Sequence, residues 1–306
     1  MNGEVNERNS KKQNKNSIKI ILFINPVKKN ALELGEKIKS EMAARNIAVD
    51  VYKQQKTEDP KLYKNYDLAV SLGGDGTVLS AAKLVSPAGI PVFPVNLGTF
   101  GFIAGIQPDK WLEVFDLWLK GKTLLSRRMM LELIVERKGK EILRGGCLNE
   151  VVISYSGTAK IINLNLSFVD ENLKKKGKNN LFGLGSYRSD GFIISTPTGS
   201  TAHSLAAGGP ILDPELEAMI LTPICPFSLH SRPMVLPAEN MLIVDLDKKQ
   251  RSDISVTMDG QQSARLLGGD KLYLKKAQYS CMLVASGRMG FFETLAKKFV
   301  LSGSVS

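Results

Sequence analysis

The sequence predicts an α/β first domain built on a parallel, Rossmann-like sheet, an all-β second domain, and a C-terminal helix returning to the first. Three observations carry this. Short apolar runs alternate with helix-period segments over residues 18–125. Beyond about Thr123, β-prone segments follow one another with Gly and Pro punctuating the turns. Finally, Gly290 to Leu301 returns to helical spacing, with Phe291, Leu295 and Phe299 at i, i+4 and i+8. The expected boundaries are a disordered arm over 1–17, the α/β domain over 18–125, the β domain over 126–288 and the returning helix over 289–306.

Residues 1–17 are polar and poor in apolar side chains, which predicts disorder. Ile18–Ile24 reads as a strand stopped by Asn25-Pro26. Ala31–Arg45 reads as an amphipathic helix with Ala31, Leu34, Ile38 and Met42 on one face. Ile47–Tyr52 alternates as a second strand. Asp67–Leu72 is a third, entering Gly73-Gly74-Asp75-Gly76-Thr77, after which Val78–Leu84 reads as a helix. Pro91–Asn96 is a fourth, ending in a second glycine turn, Leu97–Gly101. Trp111–Leu119 is helical. Alternation of this kind implies right-handed parallel βαβ units, and both glycine turns fall at carboxyl ends of strands, where ligands bind. In the second domain the expected strands are Met130–Arg137 and Glu141–Leu143 as a hairpin, then Glu150–Tyr155, Ile161–Val169, Gly191–Thr196, Met241–Leu246, Ile254–Asp259 and Asp270–Leu274. No internal repeat is evident.

The chain has 306 residues and a net charge of +11, from 41 basic and 30 acidic side chains. A basic balance suits polyanionic partners such as nucleotides. Part of the excess sits in Lys11, Lys12 and Lys15 and in Lys174–Lys178, which read as solvated segments. No nucleic-acid-binding motif and no membrane-spanning apolar run stands in the sequence, so neither partner is expected. The three cysteines, Cys147, Cys225 and Cys281, lack metal-ligand spacing and fit a reducing compartment. With no secretory signal pattern, the expected location is the cytoplasm.

Two stretches carry chemistry. In Gly73–Thr77, glycines let a phosphate approach the backbone at a helix start. This is not a Walker loop, because no Gly-Lys-Ser/Thr follows. Asp75 among those amides suits a metal or a hydroxyl proton; the same residues also suit a tight turn with a capping Asp. In Arg188–Pro210 an apolar strand ends in Ser195-Thr196-Pro197-Thr198-Gly199-Ser200-Thr201, whose hydroxyls suit a ribose, an amide or an adenine edge. They equally suit a loop that caps a helix starting near Thr201. A third pair, Asn149-Glu150, combines an amide and a carboxylate at a strand start, and read alone it is also an ordinary surface turn.

In this order, Gly73–Thr77, Asn149-Glu150 and Asp190–Ala202 resemble the NAD kinase family, as do Pro223–Pro226 and Asp259-Gly260-Gln261. The resemblance spans about Ile18 to Leu301. Gly-Gly-Asp-Gly-Thr is shared with phosphofructokinase-like and lipid kinases, whereas the long second motif is specific. The resemblance implies transfer of the ATP γ-phosphoryl group to the 2′-hydroxyl of the NAD adenosine ribose, with a divalent cation, Mg²⁺ or Mn²⁺, neutralising charge. It makes Asp75 the proton acceptor and sets Gly73, Gly74, Gly76 and Thr77 against nucleotide. It gives Asn149 and Glu150 the adenine and ribose hydroxyls, and Asp190 the nicotinamide end. Thr201, Ala202, His203, Ser204, Leu205 and Ala206 line the pocket, with Gln261, Arg188 and Lys160 as further contacts. It also implies a homo-oligomer, dimer or tetramer, with Asp190 reaching a subunit interface.

Three positions depart from the family pattern. His203 stands where many members carry Tyr, Phe227 stands for the His of Pro-His-Ser-Leu, and Ala206 replaces a small hydroxyl. A lipid kinase of the diacylglycerol or sphingosine type is the alternative enzyme, although the hydroxyl-rich Ser195–Ser204 stretch does not suit acyl chains. An inactive nucleotide sensor is the non-enzyme alternative.

Overall fold

The computed structural model describes residues 18–53, 59–98, 101–156, 161–170, 172–173, 176, 178–250, 253–285 and 288–300; the expected arm over 1–17 lies outside them. The chain forms two compact units, Met1–Arg127 with Cys281–Ser306, and Arg128–Ser280.

The first unit runs β1 (Lys19–Ile24), α1 (Lys29–Ala44), β2 (Ala48–Val51), β3 (Leu68–Gly73), α2 (Asp75–Val85), β4 (Val92–Asn96) and α3 (Trp111–Leu119). β1 pairs in parallel with β2 and β3, and β3 with β4, giving the order β2-β1-β3-β4. β3 and β4 are buried along their whole length, which is why they read as unbroken apolar runs. β2 lies at the edge and is mostly exposed, so it alternates instead. α1 buries Ala31, Gly35, Ile38 and Met42, while Leu34, expected on that stripe, is half-buried.

α2 starts at Asp75, three residues before the sequence reading, with Gly74 as its extended N-cap. The last residues of the glycine turn are therefore the first helical turn. An acidic residue there meets the positive end of the helix dipole, which offsets the poor helix propensity of glycine.

The second unit is β-rich. Its strands are β5 (Leu125–Arg137), which begins in the first unit, β6 (Lys140–Cys147), β7 (Glu150–Tyr155), β8 (Ile162–Val169), β9 (Leu181–Ser189), β10 (Gly191–Ser195), β11 (Ala218–Ile224), β12 (Met234–Pro237), β13 (Met241–Leu246), β14 (Ile254–Met258), β15 (Gln262–Leu266) and β16 (Lys271–Val284). One sheet orders β16-β13-β8-β9, with β5 pairing β16 and β6; the other orders β12-β11-β10-β7-β14-β15. Leu131, Leu133, Ile153, Phe192, Leu242 and Val256 from the two sheets share one apolar core. A four-residue helix, α4 (His203–Ala206), follows a 3₁₀ turn at Thr198–Thr201, so the unit is not strictly all-β.

β9, β11, β12 and β15 are absent from the sequence reading. β9 carries Gly183 and Gly185, β11 ends through Pro223, and β15 is mostly polar, so none shows the pattern of a lone strand. β16 ends in the first unit, where Leu283 pairs in parallel with Val92. α5 (Arg288–Val300) follows, and its Phe291 packs on Phe102 with ring centroids 6.0 Å apart.

Candidate functional site

In the first unit the carboxyl ends of β3 and β4 lie side by side, with Gly73 opposite Asn96. Leu97 donates its N–H to the Gly73 carbonyl at 2.7 Å, binding the two glycine turns together. Gly73, Gly74, Asp75, Gly76 and Thr77 are thus gathered at the sheet edge where the parallel topology places ligands. Thr77 N–H donates to the Gly74 carbonyl and Ser80 Oγ to the Gly76 carbonyl, closing the first turn of α2.

Asp75 is not merely a cap. Its carboxylate accepts three backbone N–H groups from the segment after the second glycine turn. Phe102 donates to Oδ2 at 3.0 Å, while Ile103 and Ala104 donate to Oδ1 at 3.3 and 2.9 Å. Gly101 permits this approach, because a Cβ there would lie 2.1 Å from Asp75 Oδ1. Phe102 is braced in turn by Phe291, and Lys298 Nζ lies 4.2 Å from its ring centroid. Oδ2 takes only one of the three donors, so lone-pair capacity remains there for a proton.

The sequence reading assigned no role to residues 102–104 or to Lys28. Lys28 Nζ donates to the Leu97 carbonyl at 3.1 Å, holding a cation over the second glycine turn. The signal available for 102–104 was the glycine turn itself; for Lys28 there was only its position just beyond β1.

In the second unit, Asn149 and Glu150 are buried at the start of β7, not on a surface turn. Three backbone N–H groups here converge on Asp259: Leu148 on Oδ2 at 2.8 Å, and Asn149 and Glu150 on Oδ1 at 2.8 and 3.0 Å. From the other side, Thr196 N–H donates to the Asn149 carbonyl at 2.8 Å and Thr196 Oγ1 to the Leu148 carbonyl at 2.6 Å. The hydroxyl-rich stretch therefore packs on the amide–carboxylate pair, as the register Ser195 opposite Glu150 requires.

Four buried side-chain oxygens in this region have no hydrogen-bond partner among the described residues: Asn149 Oδ1, Glu150 Oε2, Ser195 Oγ and Thr198 Oγ1. Each such atom costs about 1–3 kcal/mol unless something satisfies it.

Other candidates are spread more widely. Thr201, Ala202 and Leu205 are half-buried, and His203 and Ala206 are exposed around α4. The Ser204 hydroxyl is buried against Thr222 Oγ1 at 2.9 Å, so it holds α4 to β11. Gln261 is exposed in the β14–β15 turn. Arg188 and Asp190 flank the other end of β10: Gly191 lies opposite Ser154, whereas Ser195 lies opposite Glu150. That is about 13 Å along the strand at roughly 3.3 Å per residue. There the Arg188 guanidinium sits 5.0 Å from the ring centroid of Phe227, which is 69% exposed. His230 is also exposed. Lys160 lies outside the described residues. Among the described residues no three His, Cys, Asp or Glu side chains gather into a metal site.

Burial, and secondarily the charge of Asp259, pushes the Glu150 carboxyl up to about 7 from an ordinary 4.5. A raised carboxyl pKa favours the folded state fully below its unfolded value, and that contribution is lost as pH rises through about 7. Glu150→Gln therefore stabilises the unliganded protein at pH 8 by up to about 3 kcal/mol, and by much less at pH 4.5. Denaturant midpoints of both proteins at the two pH values check this, and a gain equal at both contradicts it.

Known proteins resemble the chain over both units. Residues 12–123 match the family model described as ATP-NAD kinase N-terminal domain, and residues 148–286 the one described as ATP-NAD kinase C-terminal domain. An NAD kinase of Treponema denticola is 42% identical over 289 residues, covering 94% of this chain and 98% of the relative. One from a Geobacter species is 35% identical over 291 residues, covering 92% and 97%. In fold, the chain is similar to a yeast NADH kinase complexed with NADH (TM-score 0.80, 22% identity, covering 94% of this chain and 88% of that one). An NAD kinase from Archaeoglobus fulgidus in complex with ATP superposes with a TM-score of 0.67 at 24% identity, covering 92% and 98%.

Proposed function

The chain belongs to the ATP-NAD kinase family and is an NAD kinase, and on that premise we propose how its residues divide the reaction. The lipid-kinase and inactive-sensor alternatives are set aside.

ATP gives its γ-phosphoryl group to the 2′-hydroxyl of the NAD adenosine ribose. The ribose O–H bond breaks, an O–P bond forms, the bond from the γ-phosphorus to the bridging oxygen breaks, and ADP and NADP leave. Asp75 receives the hydroxyl proton, for which the less occupied Oδ2 is the candidate atom. Gly73, Gly74, Gly76 and Thr77 let the backbone at the start of α2 approach phosphate, at the carboxyl end of β3 in the parallel order β2-β1-β3-β4 that we read as Rossmann-like. A divalent cation, Mg²⁺ or Mn²⁺, carried on the ATP phosphates would neutralise the charge that develops during transfer beside the start of α2.

The observation that carries the reading of the NAD side is the pair of unpartnered buried oxygens, Asn149 Oδ1 and Glu150 Oε2. An amide oxygen accepts from the adenine amino group, and a carboxylate accepts from ribose hydroxyls. Ser195 and Thr198 add hydroxyls beside them. Thr201, Ala202, Leu205, Ala206 and Gln261 are assigned to the walls of that pocket, and Ser204 to holding α4 in place. Arg188 and Asp190 serve the nicotinamide end, which suits a homo-oligomer in which another copy uses them. A cytoplasmic setting accords with three free thiols.

Purified protein given ATP, NAD and Mg²⁺, read by a coupled NADP-specific dehydrogenase, tests the assignment of activity; absence of NADP rejects it. His203, exposed at the start of α4, is assigned the role of stacking on a base. His203→Ala raises the NAD Michaelis constant by about two- to tenfold, the range of a lost aromatic contact, and leaves that for ATP unchanged. An unmoved NAD constant refutes the stacking role.

A further inference from the structure

We propose that Asp259 is a positioning residue for NAD recognition, whose carboxylate gathers three successive backbone N–H groups and fixes the Asn149 and Glu150 side chains for the nucleotide. The proposal rests on the NAD-binding role given to Asn149 and Glu150 above.

Asp259 sits in the β14–β15 turn in the left-handed region, with φ 50°. Only Gly, Asn and Asp adopt that conformation readily. Its own N–H donates to the Glu150 carbonyl at 3.0 Å, while its two oxygens take the N–H groups of Leu148, Asn149 and Glu150. Four hydrogen bonds thus tie one residue to the segment just before and at the start of β7. A turn of this kind needs no carboxylate to reverse the chain, since Gly or Asn does as well.

The arrangement also places a second negative charge beside Glu150, which stability alone does not call for. Burial, and secondarily that charge, raises the Glu150 carboxyl to about 7, and Cys147 is the further titratable neighbour of both acids. Gathering backbone donors onto a charged acceptor yields strong, directional bonds. The segment so fixed is the one that carries two of the four orphaned oxygens. The position of those oxygens therefore depends on Asp259, although Asp259 itself need not touch the nucleotide.

Asp259→Asn tests this, because Asn has the same shape and tolerates the left-handed turn but turns an N–H₂ group toward backbone donors. The expected result is a rise of about ten- to hundredfold in the NAD Michaelis constant, as befits lost charge-assisted hydrogen bonds. The constant for ATP stays within about twofold, a split that general loosening of the fold does not produce. On an Asn149→Ala background the same substitution adds much less, because both changes act on one contact set. Asp259→Gly, which suits the left-handed turn and carries no acceptor, serves as the second variant should Asn fail to fold, with at least as large a rise expected. An NAD constant within about twofold of wild type in the folded variant overturns the proposal, as does full multiplicativity with Asn149→Ala. Wild-type protein that makes no NADP overturns the kinase reading instead, so the two failures are distinguishable.

Discussion

Asp75→Asn leaves a folded protein whose kcat is lower by about 10²–10⁴-fold, the usual weight of a proton acceptor in the transition state. The substitution is nearly isosteric. The remaining amide oxygen still accepts backbone N–H groups from residues 103 and 104, so the segment after Gly101 stays close. What is lost is the atom proposed to receive the hydroxyl proton. Michaelis constants for ATP and NAD therefore change little, and the deficit falls in kcat, as it should for an interaction realised only in the transition state. Steady-state kinetics by the coupled assay read this directly. Turnover at the wild-type rate removes Asp75 from the role of base.

Gly199→Ala is the second large effect, and it reaches the site through the backbone. A Cβ at Gly199 would lie 2.2 Å from the Asn149 carbonyl oxygen and 2.6 and 2.8 Å from its carbonyl carbon and Cα. These are main-chain atoms clamped by Asp259 on one side and Thr196 on the other. Neither partner yields as the end of a flexible side chain would. We expect a stability loss of about 3 kcal/mol or more, at the upper end of overpacking costs, together with failure to bind NAD at concentrations that saturate wild type. Gly183→Ala serves as a control, since nothing lies within 4 Å of the Cβ it would add. Denaturation curves and NAD titrations of the two variants check the contrast. Equal stability would falsify the steric account.

The central strands were legible because they are buried on both faces. β3 and β4 are short, mostly apolar runs, one ending at Gly73 and the other at Asn96 just before Gly98, which is the pattern of buried parallel strands. α3 was legible to the residue, since Trp111 and Phe115 mark its buried face four positions apart. β9 and β15 were not, because a strand with little buried apolar surface of its own takes its stability from a neighbour, here β8 and β14. Local sequence does not record which neighbour will be available.

The candidate site divides in the same way. Residue types single out Asp75, a carboxylate among glycines, whereas Asn149-Glu150, which read alone also suits a surface turn, takes its role from the resemblance of the ordered motifs to the family. Sequence alone could not show that residues 102–104 hold Asp75, that Asp259 holds the Asn149-Glu150 segment from 109 to 111 positions away, or that Ser204 is occupied with Thr222. Nor could it show that Arg188 and Asp190 lie at the other end of β10 from Glu150. Hydrogen bonding is satisfied by whatever the fold brings within about 3 Å, and that proximity is set by strand order and register, not by chain distance. The sequence thus determined which functional groups the protein carries and in which class of fold. The tertiary structure alone decided which groups are held, which are spent on the fold, and which buried oxygens have no partner among the described residues.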